Sequence, residues 1–127
     1  MQIYYVGDAG DVRSTVTSLL TGLNGVEIVG AAASAALATD DILLLRPDVV
    51  VLSTQLEDSA TIATLVKIKQ ELPAVVVMIL AEPPPPHLRA QYICAGADFF
   101  FENTTEVLEL IAVAEQLVAH FDAGSLV

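Results

Sequence analysis

The chain has 127 residues, which is enough for one domain with its own hydrophobic core. Hydrophobic residues make up 54% of it and charged residues 17%, a composition that excludes intrinsic disorder. Sixteen acidic residues against five basic ones give a net charge of −11, so nucleic acid and anionic membranes are poor partners and a basic protein surface is a compatible one.

Cysteine usage and the first residues indicate the compartment. The single cysteine, Cys94, can form neither an internal disulfide nor a metal cluster, which suits a reducing cytosol. The sequence MQIYYVGD lacks the basic-then-apolar pattern of a secretory signal, and apolar runs such as residues 75–81 are too short to span a bilayer. We therefore expect a cytoplasmic protein.

Short apolar runs alternate along the chain with segments of helical spacing. The predicted strands are residues 3–7, 26–30, 48–53, 74–80 and 97–101. The predicted helices are residues 11–23, 34–46, 60–72, 87–96 and 104–120, and Pro47, Pro73 and Gly96 end three of them. Strict alternation predicts an α/β fold with a parallel sheet covered on both faces. The domain is assigned to residues 1–121, and residues 122–127 to a flexible tail or the stump of a linker.

This layout resembles the receiver domain of bacterial response regulators (CheY-like) over residues 2–120. The segments RPDVVVL (46–52) and AGADFFFEN (95–103) carry the resemblance most specifically. It implies a flavodoxin-like (βα)5 doubly wound sandwich, a five-stranded parallel sheet in the order 2-1-3-4-5, and a role in two-component signal transduction.

The resemblance also implies where a phosphorylation site would lie. The family's phosphoacceptor aspartate falls on Ser53, its Mg²⁺-binding acidic pair on Gly7 and Asp8, its hydroxyl residue on Leu80 and its lysine on Asn103. Phosphoryl transfer needs a nucleophile, a divalent cation and hydroxyl or cationic groups on the phosphoryl oxygens. We therefore expect a pseudo-receiver without catalytic residues, metal or cofactor, in which Asp8 is a vestigial ligand or the N-cap of the first helix.

Several residues are candidates for contacts with a protein partner. Phe100 occupies the family's switch-aromatic position and is expected to be half exposed on an edge strand, with Phe99 and Phe101 in the core. The surface around the last helix carries many acidic residues and essentially one basic residue, Arg89, so the family's usual symmetric dimer through that surface is disfavoured. A basic partner or a fused output domain is expected instead. Four consecutive apolar residues in the second helix cannot all face the core. The candidate interaction residues are Phe100, Ile42, Leu43, Leu44, Leu45, Arg89, Glu106 and Glu109.

Two other functions stay open at this point. A hydrolase could use Ser53, His87 and Asp8, although VLSTQ (51–55) lacks the G-x-S-x-G turn that exposes a nucleophilic serine. A flavin or nucleotide binder could use GDAG (7–10), which is only a fragment of a glycine-rich phosphate loop. The four prolines at 83–86 indicate a rigid connector that starts the fourth helix, a loop locked in one state, or a ligand presented to an aromatic groove.

Overall fold

The computed structural model describes residues 1–7, 11–23, 25–53, 59–81, 86–102 and 107–125. Five parallel strands are paired in the order β2-β1-β3-β4-β5, which confirms the predicted flavodoxin-like fold. Within these ranges no helix is both long and apolar enough to cross a membrane. In chain order the elements are β1 (Gln2–Gly7), α1 (Asp11–Thr21), β2 (Glu27–Ala32), α2 (Ala35–Leu45), β3 (Val49–Ser53), α3 (Ser59–Glu71), β4 (Val76–Ala81), α4 (Pro86–Cys94), β5 (Phe99–Glu102) and α5 (Val107–Ser125).

The two ends of α2 are set by capping. The Ser34 hydroxyl accepts a hydrogen bond from the Leu37 backbone N–H at 3.3 Å, as an N-cap does. At the other end the Arg46 N–H donates to the Ile42 carbonyl, and Arg46 itself adopts a left-handed conformation with φ of 50°. Pro47 follows directly, so the helix ends where the sequence predicts.

Gly96 ends α4, as predicted. Its φ is +118°, a conformation that side-chain-bearing residues rarely adopt. The Gly96 N–H donates to the Ile93 carbonyl and the Ala97 N–H to the Tyr92 carbonyl, which is the hydrogen-bond pattern of a Schellman motif. The last helix, in contrast, ends later than expected. It extends to Ser125, so residues 122–125 of the predicted tail are helical.

Side chains from alternate strand positions form one core cluster on each face of the sheet, as period-two alternation requires. The first cluster joins the sheet to α2, α3 and α4 through Tyr4, Val50, Leu52, Val77, Ile79, Phe100, Ala38, Ile42, Leu65, Ile68 and Tyr92. The second joins it to α1 and α5 through Ile3, Tyr5, Val51, Met78, Leu80, Phe101, Val16, Leu20, Leu110 and Ala114.

Lys69 and Asp98 tie three elements together at the amino-terminal edge of the sheet. The Lys69 ammonium donates to the Val75 carbonyl at 2.7 Å and to Asp98 Oδ2 at 3.1 Å. The same carboxylate oxygen accepts the Val77 N–H at 2.8 Å, and the Asp98 N–H donates to the Val77 carbonyl at 2.9 Å. These contacts connect the end of α3 to the starts of β4 and β5. We call them the amino-edge brace.

The strand β2 forms one border of the sheet and is irregular. Ile3 pairs with Ile28 and Tyr4 with Gly30, so Val29 is an extra residue in a β-bulge. Bulges of this kind disfavour the pairing of an outer strand with a strand of another chain.

Candidate functional site at the carboxyl edge of the sheet

The carboxyl ends of β1, β3 and β4 lie side by side, which is where doubly wound sheets bind ligands. Gly7 and Ser53 are direct register partners at the ends of β1 and β3. On the other side of β3, Leu52 pairs with Ile79, so Leu80 lies one residue further along β4. The structure therefore brings together Gly7, Ser53 and Leu80, three of the five positions on which the resemblance places the family's phosphorylation site.

Gly7 lies too close to β3 to carry a side chain. An ideal β-carbon at position 7 would lie 2.5 Å from the Ser53 carbonyl oxygen and 2.9 Å from Tyr5 Cε1. The carbonyl oxygen belongs to the backbone of the central strand, so it cannot rotate away as a flexible side chain could. A carboxylate at position 7 would require the ends of β1 and β3 to move apart.

Ser53 and Leu80 bring one neutral hydroxyl and one apolar side chain to this edge. Ser53 is half-buried at the end of β3 and offers a neutral hydroxyl, which is a weak nucleophile unless a base activates it. Leu80 is 1% exposed and packs in the cluster between the sheet and α5. Its side chain offers no hydrogen-bond donor where the family places a hydroxyl.

Other predicted site residues lie outside the part of the chain that the structure describes. These are Asp8, Asn103 and Glu106. His87 belongs to α4, but its side chain is also outside the described set, so the arrangement of Ser53, His87 and Asp8 stays a prediction. Among the described side chains, no three metal-ligating residues come together.

The predicted exposure of Phe100 is wrong. Its ring is 6% exposed and belongs to the core cluster on the α2, α3 and α4 face. The Arg89 guanidinium carbon, on α4, lies over the ring at 5.5 Å from its centroid, which is a cation–π contact within the chain. Phe101 is in the core as expected, and Phe99 is half-buried and stacks on Phe101 at a centroid distance of 6.0 Å.

The apolar run of α2 divides as the sequence predicts, with one correction. Leu44 and Leu45 are 81% and 42% exposed, which confirms that part of the run faces outward. Ile42 is fully buried, so it belongs to the core and not to an interaction surface. Leu43 is half-buried. Sequence reasoning missed Leu37, which is 69% exposed; its position seven residues before Leu44 was the available signal.

A cavity of about 340 Å³ lies at the opposite, amino-terminal edge of the sheet. Residues 46–48 and 71–75 line it, at the ends of α2 and α3. Asp48 in its wall already accepts a hydrogen bond from the Gln2 N–H at 2.8 Å. This carboxylate therefore has a structural partner within the chain.

Two proteins of known name are similar to this chain in sequence. No family model matches the chain. The protein-glutamate methylesterase/protein-glutamine glutaminase of Archaeoglobus fulgidus is 29% identical over 120 residues, which are 93% of this chain and 34% of that protein. The response regulator protein VraR of Staphylococcus aureus is 26% identical over 110 residues, which are 87% of this chain and 53% of VraR. The chain thus spans between about a third and a half of the length of these relatives.

Solved structures show the same fold at lower sequence identity. The signal receiver domain of NarL from Mycobacterium tuberculosis superposes with a TM-score of 0.80 at 19% identity, over 93% of this chain and 95% of that one. The response regulator domain of Thermotoga maritima CheB gives a TM-score of 0.79 at 17% identity, over 94% and 96%. The chain therefore has the fold of these receiver domains, and its sequence is similar to part of a response regulator and to part of a protein-glutamate methylesterase.

Proposed function

We propose that this domain is a pseudo-receiver, a protein-interaction module of two-component signalling that works without phosphorylation. The observation that carries the proposal is the contact between β1 and β3. The Ser53 carbonyl oxygen occupies the space that a β-carbon on residue 7 would need. The position of one metal-binding acid is therefore closed by backbone, in addition to the loss of the acceptor carboxylate at Ser53.

The remaining chemistry supports the same proposal. Mg²⁺ in phosphoryl-transfer sites is usually held by one or two protein carboxylates together with water and phosphate. With glycine at position 7, only Asp8 of the family's acidic pair could serve. Leu80 places an apolar side chain where the family has a hydroxyl for the phosphoryl group. In this proposal the domain is not an enzyme, and it holds no cofactor.

The proposed partner is a protein, either a basic surface or an output domain in the same polypeptide. Both relatives named above are longer than this chain, so a further domain is consistent with the comparison. Self-association through α5 is disfavoured in the proposal because Glu109 and Glu115 are exposed there, and two copies would bring like charges together.

A two-step NMR titration tests the proposal. Backbone amide signals of Gly7, Ser53 and Leu80 are followed while MgCl2 is added to 10-fold excess or more, and then beryllofluoride. We expect no saturable shift, whereas a receiver domain with an intact phosphoacceptor, used as the positive control, responds to both. The variant Ser53→Asp restores the acceptor alone, and we expect it to stay silent because Gly7, Leu80 and Asn103 still lack the carboxylate, hydroxyl and ammonium groups of the family's site. Saturable shifts in the unmodified chain would contradict the proposal.

A further inference from the structure

The helix α2 carries an apolar surface that the fold leaves uncovered. Leu37, Leu44 and Leu45 are 69%, 81% and 42% exposed. Residues 37 and 44 are two helical turns apart and share one side of the helix, and residue 45 lies next to them. We call these three residues the leucine face.

The helix that carries the leucine face is firmly attached to the domain. Ala38 and Ile42 on its inner side are fully buried. The Thr39 and Thr64 hydroxyl oxygens are 2.9 Å apart and join α2 to α3. The Tyr4 hydroxyl donates to Asp41 Oδ2 at 3.1 Å and joins α2 to β1. A partner would therefore meet a preformed surface and would not have to order it.

The charged residues between Leu37 and Leu44 are acidic, and the nearest base along the chain is the exposed Arg46 after the end of α2. Asp40 and Asp41 are both exposed and lie between Leu37 and Leu44 along the helix. In helical projection they flank the line that joins these two leucines, one on each side. This local charge has the same sign as that of the whole chain, which has 16 acidic residues and five basic ones.

We propose that the leucine face docks a basic amphipathic helix of a partner protein. The partner's apolar residues, spaced by three or four along the helix, would cover Leu37 and Leu44, and its flanking lysines or arginines would lie over Asp40 and Asp41. The inference rests on the proposed function, because it names the kind of partner that the pseudo-receiver recognises.

A second copy of this chain fits the same surface less well. Pairing two copies of α2 would bring the Asp40 and Asp41 carboxylates of both copies together. The neighbouring outer strand β2 could not extend such a contact as a regular ladder, since the bulge at Val29 interrupts it. Charge complementarity therefore favours a basic partner over self-association.

Fluorescence anisotropy with a designed peptide tests the proposal. The probe is a fluorescein-labelled helical peptide with leucines on one face and lysines on both flanks. We expect saturable binding to the full chain, and Leu44→Ala should raise the Kd by about tenfold or more. The matched control is Leu108→Ala, which removes a leucine that is 75% exposed on α5, across the sheet, and should change the Kd by less than about twofold. The same peptide with glutamate in place of lysine should not bind.

Three outcomes would overturn the docking proposal. The first is an equal effect of Leu44→Ala and Leu108→Ala, which would mean general attraction of a cationic peptide to an acidic protein. The second is equal affinity for the lysine and glutamate peptides. The third is a dimer in sedimentation velocity that Leu44→Ala converts to a monomer, because the occupant would then be a second copy.

The proposed function is tested separately by repeating the peptide anisotropy titration with Mg²⁺ and beryllofluoride present. Unchanged affinity supports both proposals. Affinity that changes with beryllofluoride, while it still depends on Leu44, supports the leucine face and contradicts phosphorylation independence.

Discussion

The substitution Gly7→Ala places one methyl group against the backbone of the neighbouring strand. The new β-carbon would start 2.5 Å from the Ser53 carbonyl oxygen and 2.9 Å from Tyr5 Cε1, where ordinary contacts are 3.4 Å or longer. Tyr5 is 1% exposed, so its ring has no free space to enter. The strain is therefore relieved by separating the ends of β1 and β3.

The size of the destabilisation by Gly7→Ala follows from the contacts that this separation weakens. Overpacking a well-packed interior destabilises a protein by about 1–3 kcal/mol. Weakening one hydrogen bond of the ladder between the ends of β1 and β3 adds about 1 kcal/mol. We expect the free energy of unfolding to fall by about 2–4 kcal/mol. For a domain of 127 residues this lowers the Tm by roughly 6–20 °C.

Urea unfolding followed by far-UV circular dichroism measures this change, with Gly22→Ala as the matched control. A β-carbon on Gly22, just after α1, would meet the Leu19 carbonyl oxygen at 3.4 Å and the Ser18 carbonyl oxygen at 3.6 Å, which are ordinary contacts. That variant should stay within about 0.5 kcal/mol of the parent chain. If Gly7→Ala is as stable as Gly22→Ala, then position 7 has room for a side chain and the steric argument against a carboxylate there is wrong.

Three further substitutions test other features of the fold by the same unfolding assay. Asp98→Ala removes the acceptor of the Val77 N–H and the partner of Lys69, so stability should fall by about 1–3 kcal/mol. A loss below about 0.5 kcal/mol would show that neither contact of this carboxylate stabilises the fold. Gly96→Ala introduces a side chain at φ of +118° and 3.0 Å from Lys69 Cγ, so it should destabilise by more than about 1 kcal/mol, and a neutral result would mean that α4 ends differently. Arg46→Gly removes the strain of a side-chain-bearing residue in the left-handed conformation at the end of α2, so it should stabilise the domain by up to about 1 kcal/mol. Arg46→Lys keeps that strain and should be neutral. Equal effects of the two variants would refute the assignment of strain.

The fold was predictable because its signals are local. Apolar runs of strand length alternate with helical spacing, and turn residues such as Pro47 and Gly96 stand at the ends of helices. Burial across the central strands follows from the same pattern, because a sheet covered on both faces needs residues that are apolar at every position. The end of α5 was less predictable. The helix continues to Ser125, and no residue typical of a helix end served to fix its boundary in the prediction.

The strand end at which Ser53 lies was predictable, but the shape of that strand end was not. The alignment of Ser53 with the end of a central strand could be read from the chain, whereas the closeness of Gly7 to the Ser53 carbonyl depends on how two strands meet. Phe100 shows the opposite limit. We expected exposure because β5 is the last strand of the sheet, but α4 covers this face and places Arg89 over the ring. Lateral position in a sheet and solvent exposure are separate properties.

The amino-edge brace has a consequence for how this domain tolerates sequence change. Lys69 and Asp98 secure α3, β4 and β5 at the edge of the sheet opposite to Ser53. The attachment of these three elements therefore depends on residues other than those at the carboxyl edge. During evolution, side chains at the carboxyl edge could be exchanged without loosening this attachment, so that one scaffold can carry different chemistry at that edge.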